Sequence, residues 1–297
     1  MTNNLFKKIS VGTVQFGMEN YGILGTQQIQ LEEIKSILDL LYTKGSRYID
    51  TAPLYGDSEK NLGKVGVNDW KVMSKMPPIN PNNLFEIKKI SSVVSKSLKN
   101  LSLKNAEGLF IHDPSNATHK NSGYIFDALF ELKSKKIINN IGVSVYTPEE
   151  LIHILDRFDV DMVQIPMNIF DQRFKNEGLL DLLEQRGINV HVRSVFLQGI
   201  LLKNPLDLPA YFNTWKSSFE VFHNYCREIN VKPLQVILNQ ILNEEKIDKV
   251  ILGFDSFQSV NEIIYEIDSL KNISFNNHLF SETDINLLEP RLWPSAW

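Results

Sequence analysis

The sequence is poor in the residues that build disulfides and metal sites. It contains one cysteine, Cys226, in 297 residues, so an internal disulfide is excluded and the paired ligands of a structural zinc site are missing. The six histidines, at positions 112, 119, 153, 191, 223 and 278, include no His-x-His at a predicted strand end. These absences argue against metal-dependent hydrolysis, predict no metal site and favour a reduced, cytoplasmic chain.

Long apolar runs and runs of one charge are also missing. No stretch of about 18 apolar residues is available to span a bilayer, and the first residues lack the apolar segment of a signal peptide. Lys and Arg number 31 against 35 Asp and Glu, and the cations are not clustered, which argues against a nucleic acid as partner. The composition, 43% apolar and 22% charged, predicts a soluble folded protein whose partners are small molecules.

Short β-rich runs alternate regularly with longer stretches of helical period. The predicted strands are residues 9–16, 47–50, 71–75, 108–112, 138–145, 162–165, 189–196 and 249–253. Between them apolar residues recur at steps of three and four, as in Ile34, Leu38 and Leu41. Eight units of about 37 residues predict a single (β/α)8 TIM barrel over residues 1–297, with a doubly wound open sheet as the alternative. Extra length at 198–213 and 275–297 is expected to shape a substrate pocket.

Chemically matched side chains stand at three successive predicted strand ends. Asp50 ends the second strand, Lys75 the third and His112 the fourth, while Tyr55 follows Asp50 by five positions. Each residue alone has an ordinary explanation as a turn, loop or solvated residue. Because neighbouring strands lie about 4.8 Å apart, however, the side chains are predicted to converge on one patch.

Such a patch is suited to proton transfer to a carbonyl oxygen. The phenol of Tyr55 has an ordinary pKa near 10, and we expect the ammonium of Lys75 to lower it. Asp50 would hold Lys75, and His112 would donate a hydrogen bond to the same carbonyl oxygen. The alternative is a Schiff-base lyase in which Lys75 attacks a carbonyl, although a carboxylate partner keeps an amine protonated.

Several ordered motifs occur at these strand ends. They are GTVQFG at 12–17, IDTA at 49–52, YG at 55–56, SK at 74–75, IHDP at 111–114, IGVS at 141–144 and VQIPMN at 163–168. With them the chain resembles the aldo-keto reductases over nearly its whole length. The resemblance implies a catalytic set of Asp50, Tyr55, Lys75 and His112, with Tyr55 as general acid and base, and a nicotinamide cofactor across the barrel mouth. A Gly-x-Gly-x-x-Gly turn after a strand is missing, in agreement with a cofactor site of this kind.

The same resemblance implies a set of cofactor-binding residues. They are Thr13, Asp50, Ser144, Gln164, Arg193, Ser194, Phe196, Gln198, Gly253, Asp255, Ser256, Ser259 and Glu262. Val145 departs from the pattern because an asparagine is usual there, and Arg193 departs because an aromatic residue commonly stacks on the nicotinamide. Arg193 is expected to stack on that ring, to face an anionic substrate or to pair with a carboxylate. His191, on the same strand, is expected to be a core histidine.

The segment 253–262 bears on the choice between NADP(H) and NAD(H). It matches the adenosine end of the family's cofactor site, where a helix begins and free backbone N–H groups favour a phosphate. No Lys or Arg occurs in it, and Asp255 would repel a 2′-phosphate, for which Ser256 and Ser259 compensate only in part. The sequence therefore predicts that NADH is used at least as well as NADPH.

The substrate is predicted from loop residues and from the branch of the family. Candidate substrate-binding residues are Met18, Tyr21, Tyr55, His112, Phe170 and Arg173, with Leu24, Asp171, Trp293 and Trp297 as further pocket candidates. The chain resembles bacterial branches near sugar dehydrogenases and polysaccharide-associated oxidoreductases, which points to an aldose, a keto-sugar or a nucleotide-linked sugar. The family fold also serves as a channel-associated subunit that binds cofactor with little turnover. We expect a monomer because no heptad seam or amphipathic tail is present.

Overall fold

Eight parallel strands close into one barrel in the described part of the chain. The computed structural model describes residues 2–19, 21–22, 27–270, 273 and 277–294. The strands pair with their neighbours in chain order all the way round, β1 with β8 included. They are β1 (Ile9–Gly12), β2 (Tyr48–Asp50), β3 (Lys71–Met76), β4 (Ala106–Ile111), β5 (Ile138–Ser144), β6 (Met162–Pro166), β7 (Asn189–Arg193) and β8 (Lys249–Gly253). The predicted TIM barrel is confirmed, and the open sheet is excluded.

Helices follow the strands and form the outer layer. The α-helices are α1 (Leu31–Lys44), α2 (Ser58–Val65), α3 (Leu84–Lys88), α4 (Ile90–Leu101), α5 (Pro114–Thr118), α6 (Ser122–Ser134), α7 (Pro148–Leu155), α8 (Arg173–Asn176), α9 (Leu179–Gln185), α10 (Lys216–Glu228), α11 (Pro233–Leu242), α12 (Phe257–Asp268) and α13 (Ile285–Leu288). Segments of 3₁₀ helix are Thr2–Lys8, Val14–Phe16, Leu197–Leu202, Pro205–Asp207, Ala210–Trp215, Asn277–Phe280 and Pro290–Leu292. None of the helices in the described residues is long and apolar enough to cross a bilayer.

Two strands are shorter than predicted by three residues or more. β1 ends at Gly12 because Val14–Phe16 forms a 3₁₀ turn. β7 ends at Arg193 because Ser194, Leu197 and Gln198 all have positive φ, which is incompatible with extended backbone. The predicted strands 9–16 and 189–196 therefore included residues that form loops, and both loops lie on the cleft described below.

The barrel interior leads directly to the polar residues at its mouth. Met73, Phe110 and Met162 form a buried cluster with Tyr48. A Cβ on Gly108 of β4 would lie 2.3 Å from Met162 Cε of β6, two strands away. The side chain of Met162 therefore points into the barrel interior. Side chains two positions apart on a strand share a face. The polar residues at the mouth each follow one of these interior residues by two positions. They are Asp50 after Tyr48, Lys75 after Met73, His112 after Phe110 and Gln164 after Met162.

His191 belongs to this interior, as the sequence predicts. Its ring packs edge-on against Phe110 at 5.4 Å and Tyr48 at 6.4 Å between centroids. Burial lowers the pKa of His191 to about 3, and its Nδ1 atom has no hydrogen-bond partner in the described structure. A neutral imidazole packed on aromatic rings is a core residue rather than a proton donor to substrate.

Candidate active site

A buried ion pair lies at the centre of the site. Lys75 Nζ donates to Asp50 Oδ1 and, at 3.3 Å, to the carbonyl oxygen of Thr51. Gln164 Nε2 donates to Asp50 Oδ2 at 2.8 Å, so both carboxylate oxygens accept a hydrogen bond. The side chains of Lys75 and Asp50 are only 1% and 4% exposed. Asp50 of β2 thus holds Lys75, and Gln164 of β6 holds Asp50.

Tyr55 and His112 lie close to this pair. Their rings meet edge-on, with centroids 5.9 Å apart and an interplanar angle of 86°. Lys75 Nζ lies 5.0 Å from the centroid of the Tyr55 ring. The structure therefore brings together all four residues of the predicted catalytic set, which come from β2, its following loop, β3 and the end of β4.

The loop that carries Tyr55 packs on the first βα turn by direct backbone contact. The N–H group of Asp57 donates to the carbonyl oxygen of Gly17 at 3.2 Å. Gly56 has a φ of +57°, and a Cβ there would lie 2.1 Å from the Gly17 oxygen. A Cβ on Gly17 would in turn lie 2.1 Å from the carbonyl oxygen of Tyr55. Glycine is required at both positions for this approach.

We expect Gly17→Ala to lower kcat by at least about tenfold, because an added methyl group must displace the backbone of Tyr55 and small misplacements of reacting groups cost large factors in rate. Steady-state turnover, with thermal unfolding in parallel, measures the effect. The matched control is Gly123→Ala in α6, where an added Cβ would meet nothing within 4 Å. Equal turnover in the two variants would contradict the positioning role of this contact.

The electrostatics of Tyr55 differ from the sequence prediction. Burial is the largest effect on the pKa of Tyr55 and raises it above the ordinary value, and the charge of Asp50 raises it further. Burial also lowers the pKa of Lys75, against the opposing effect of Asp50. The expectation that Lys75 lowers the pKa of Tyr55 is therefore not met, because Asp50 compensates the ammonium. The cation that lowers the pKa of Tyr55 is Arg193.

His112 is neutral in this environment. Burial lowers its pKa to about 3, and the charges of Lys75 and Arg193 act in the same direction. Its Nδ1 atom is buried and has no hydrogen-bond partner in the described structure. A neutral imidazole carries one N–H group, which is available as a hydrogen-bond donor only if the proton is on the other nitrogen, Nε2.

A cleft of about 690 Å³ opens over these residues. It runs from Asp50, Tyr55 and His112 past Ser144 and Gln164 to the loop that precedes α12. Every residue of the predicted cofactor set lines it except Ser256. Ser256 instead caps α12, where its Oγ accepts a hydrogen bond from Ser259 N at 3.1 Å.

Arg193 and Val145, the two departures from the family pattern, contact each other. Arg193 Nη2 donates to the carbonyl oxygen of Val145 at 3.0 Å, and Nη1 donates to Ser194 Oγ at 3.3 Å. The guanidinium lies over the ring of Tyr146 at 4.3 Å from its centroid. In the described part of the chain Arg193 forms no ion pair, so the expectation of a carboxylate partner is wrong.

Tyr21 is the one further substrate candidate that lines the cleft beside Tyr55 and His112. Burial raises the pKa of Tyr21 to about 12. Met18 does not line the cleft, because its side chain lies next to Gly56 on the loop contact described above. Leu24 and Trp297 lie outside the described residues.

The remaining substrate candidates have structural roles. Phe170 is 0% exposed and packs edge-on against Phe219 at 5.0 Å, so it belongs to the core. Arg173 is held by Asp171 through two hydrogen bonds, of 2.9 and 2.8 Å, and by Glu289 at 3.4 Å. Neither Phe170 nor Arg173 lines the cleft. The predicted substrate roles of both residues are wrong.

Trp293, a further pocket candidate, is also a core residue. Its ring packs edge-on against Phe212 with centroids 5.0 Å apart, and its Nε1 donates to the carbonyl oxygen of Asn286 at 3.0 Å. The tail, which the structure describes over residues 277–294, therefore packs against Phe212 through Trp293, and this side chain is not available to a ligand.

The cleft residues that the sequence analysis missed include three large polar or charged side chains, those of Tyr146, Lys203 and Arg291. Tyr146 follows the predicted fifth strand directly, and that position was a usable signal. Lys203 and Arg291 lie within the two stretches of extra length that were expected to shape the pocket. Length alone did not indicate which of their side chains reach the cleft.

Comparison with known proteins identifies the family of this site. The sequence model of the Aldo/keto reductase family matches residues 8–277. The D-threo-aldose 1-dehydrogenase of Pseudomonas sp is 21% identical over 229 residues, covering 66% of this chain and 69% of that protein. The pyridoxal 4-dehydrogenase of Microbacterium luteolum is 22% identical over 279 residues, covering 76% and 81%. The holo form of aldo-keto reductase AKR11C1 from Bacillus halodurans superposes with a TM-score of 0.69 at 20% identity, covering 91% and 94%.

Proposed function

Because the chain belongs to the aldo/keto reductase family and is an NAD(P)H-dependent oxidoreductase acting on carbonyl or alcohol groups, we propose that it interconverts a sugar-like carbonyl compound and its alcohol, with Tyr55 exchanging the proton. The observation that carries this proposal is the grouping of Tyr55, His112 and the Lys75–Asp50 pair at one end of a long cleft. The bound nicotinamide supplies or accepts the hydride.

Tyr55 is the proton donor in the reducing direction. Its raised pKa keeps the phenol protonated at neutral pH, which is the form that protonates a carbonyl oxygen. His112 donates a hydrogen bond from Nε2 to the same oxygen. This tautomer leaves only a lone pair at the buried, unpartnered Nδ1.

Lys75 and Asp50 act as positioning residues. Lys75 does not line the cleft, and its Nζ already donates to Asp50 and to the Thr51 carbonyl. A lysine held in this way has no free lone pair with which to attack a carbonyl, which argues against the Schiff-base lyase despite the lowered pKa. Borohydride in the presence of glyceraldehyde should leave Lys75 unmodified.

The lining of the cleft fits a nicotinamide cofactor. Gln164 uses its amide nitrogen on Asp50, which leaves its Oε1 available beside Ser144 for a carboxamide. At the far end Gly253, Ser259 and the start of α12 offer polar groups for the adenosine half. The chain's own residues would thus hold both ends of an extended ligand.

A sugar-like substrate is supported by the aldose dehydrogenase relative, and the test is turnover. The purified protein is assayed with NADPH and with NADH against glyceraldehyde, longer aldoses and pyridoxal, in both directions. Turnover of polyhydroxylated compounds in preference to pyridoxal would support the proposal, and preference for pyridoxal would overturn the sugar assignment. Tight cofactor binding without turnover of any carbonyl compound would instead support the regulatory-subunit alternative.

We expect NADH to bind at least as tightly as NADPH, because acidic groups surround the start of α12. Asp255 and Glu262 line the cleft there, and the Phe257 N–H donates to Glu33 Oε1 at 2.7 Å, so a carboxylate already occupies this helix terminus. Lys203 also lines the cleft in the described structure, as do Arg193 and Arg291. Nicotinamide fluorescence titrations measure both dissociation constants.

The variant Asp255→Asn should shift the ratio of the two constants toward NADPH by about three- to tenfold through loss of like-charge repulsion. The matched control, Asp127→Asn, removes an exposed carboxylate on α6, outside the cleft. If the wild-type protein bound NADPH far more tightly than NADH, the prediction that NADH binds at least as tightly would be contradicted.

A further inference from the structure

Three aromatic and basic residues form a distinct wall of the cleft beside the catalytic end. Arg193 and Arg291 both lie over the ring of Tyr146, with their guanidinium carbons 4.3 and 3.9 Å from its centroid. All three line the cleft that holds Tyr55 and His112. The Tyr146 ring therefore carries one guanidinium from β7 and one from the tail, and we call this group the arginine wall.

The tail is fixed by ion pairs that orient Arg291. Arg173 links Asp171 to Glu289, and Glu289 in turn pairs with Arg291 at 2.7 Å. Arg173 Nη2 also donates to the carbonyl oxygen of Tyr146 at 3.2 Å. The network thus ties the tail to the same Tyr146 that the two arginines contact.

With Arg193 included, the charges around Tyr146 do not cancel. Asp171 and Glu289 provide two negative charges against three arginines, and Arg193 is the one that forms no ion pair in the described structure. Its protein partners are neutral, namely the Val145 carbonyl and Ser194 Oγ. Since a guanidinium has five N–H donors, most of those on Arg193 stay available to a ligand.

The unpaired charge acts on the reacting groups themselves. Arg193 lowers the pKa of Tyr55 and of His112, so its guanidinium lies close enough to influence both groups across the cleft. A cation that is partly buried, held by neutral partners and directed at a ligand cleft is suited to an anion, because guanidinium groups bind carboxylate and phosphate oxygens through paired hydrogen bonds.

We propose that the arginine wall binds an anionic group of the substrate, so that the enzyme acts on carbonyl compounds, or their alcohols, that carry a carboxylate or phosphate near the reacting carbon. This inference rests on the proposed function and narrows its substrate class. Arg193 binds the anion, Arg291 adds a second cation, and the Tyr146 ring packs against both guanidinium groups. Sugar acids and phosphorylated sugars combine this anion with the polyhydroxylated chain proposed above.

Paired substrates test the proposal through kcat/KM. The carboxylate pair is succinic semialdehyde against butanal, and the phosphate pair is glyceraldehyde phosphate against glyceraldehyde. At least one anionic member should exceed its neutral partner by about 30-fold or more, and the pair that does so identifies carboxylate or phosphate. Arg193→Gln should reduce that ratio by about 10- to 100-fold, whereas Arg193→Lys should retain part of it.

The control is Arg157→Gln. Arg157 also lies over an aromatic ring, Phe158 at 5.0 Å, and donates to a backbone carbonyl, that of Thr118 at 3.2 Å, but it does not line the cleft. Its removal should leave the ratio unchanged. Equal kcat/KM for the anionic and neutral members in the wild type would overturn the proposal while the reductase function stands. Loss of cofactor affinity in Arg193→Gln with an unchanged ratio would also overturn it and would assign Arg193 to the nicotinamide.

Calorimetric titration separates failure of this proposal from failure of the proposed function. Succinate, inorganic phosphate and neutral succinamide are titrated into the protein, with and without NADPH. Binding of succinate or phosphate that Arg193→Gln abolishes supports the arginine wall even if no carbonyl compound is turned over. If neither anion binds more tightly than succinamide, the arginine wall is not an anion site.

Discussion

Replacement of Tyr55 by phenylalanine is expected to lower kcat for carbonyl reduction by about 10²- to 10⁴-fold, the range over which a positioned acid or base contributes to a rate. The substitution removes one oxygen and keeps the ring that packs edge-on against His112 and lies 5.0 Å from Lys75 Nζ. Cofactor affinity should therefore stay within about twofold of wild type. Steady-state kinetics and nicotinamide fluorescence measure the two quantities.

The pH dependence gives a second readout of the same group. Burial and Asp50 raise the pKa of Tyr55, so the phenol stays protonated through the neutral range and is deprotonated only at strongly alkaline pH. Reduction uses the phenol and should be flat around neutrality, with a fall at alkaline pH. Oxidation uses the phenolate and should rise with pH toward that pKa. Both dependences should disappear in Tyr55→Phe.

A matched tyrosine provides the control. Tyr124 on α6 is 56% exposed and lies outside the cleft, so Tyr124→Phe should keep wild-type turnover and pH profiles. If Tyr55→Phe retained more than about a tenth of wild-type turnover, another group would be the proton donor and Tyr55 would only shape the pocket.

The convergence of Asp50, Lys75 and His112 was predictable because it follows from local order. Each residue stands at the carboxyl end of its strand, and parallel strands in a barrel bring those ends to one rim. The alternation of side chains then places each of them two positions beyond an interior residue such as Met73 or Phe110. Neither step needs knowledge of contacts distant in sequence.

The errors have a common physical origin. Phe170 and Arg173 occur in a loop at the barrel mouth, where the sequence favours a substrate role. Asp171, the main partner of Arg173, is close in sequence, but Phe219 and Glu289, which also contact these two residues, lie far along the chain. Such partners decide whether a loop side chain is buried, paired or free. The pKa of Tyr55 was misjudged for a related reason. Burial raises this pKa, and the Asp50 carboxylate compensates the Lys75 ammonium that was expected to lower it.

Val145 and Arg193, the two residues that depart from the family pattern, are related in the structure. Taken separately, each residue weakens the resemblance to a standard cofactor site. In the structure they are partners, since the guanidinium of Arg193 donates to the Val145 carbonyl. An arginine at the end of β7 is fixed by a backbone acceptor that any residue at position 145 supplies, so the sequence could not indicate this contact.

Loss of one member of the buried ion pair is expected to have the largest effect on stability. Lys75→Met leaves the Asp50 carboxylate buried with Gln164 as its remaining hydrogen-bond donor. Removing one partner of such a pair costs about 3–5 kcal/mol of the free energy of unfolding. Urea unfolding measures this loss. The matched control is Lys35→Met, because the Lys35–Asp39 pair has side chains that are 60% and 64% exposed. That variant should lose no more than about 1 kcal/mol.

The double variant Asp50→Asn with Lys75→Met separates stability from catalysis. It removes both charges together, so most of the free energy of unfolding should return, and the double-mutant cycle should show a coupling of roughly 1–3 kcal/mol. Turnover should stay low, because Tyr55 and His112 would still lack the pair that fixes their surroundings. Recovery of both stability and turnover would make the pair a dispensable structural element. If Lys75→Met lowered the free energy of unfolding by as little as Lys35→Met does, water would reach the pair and the site would not be isolated from solvent.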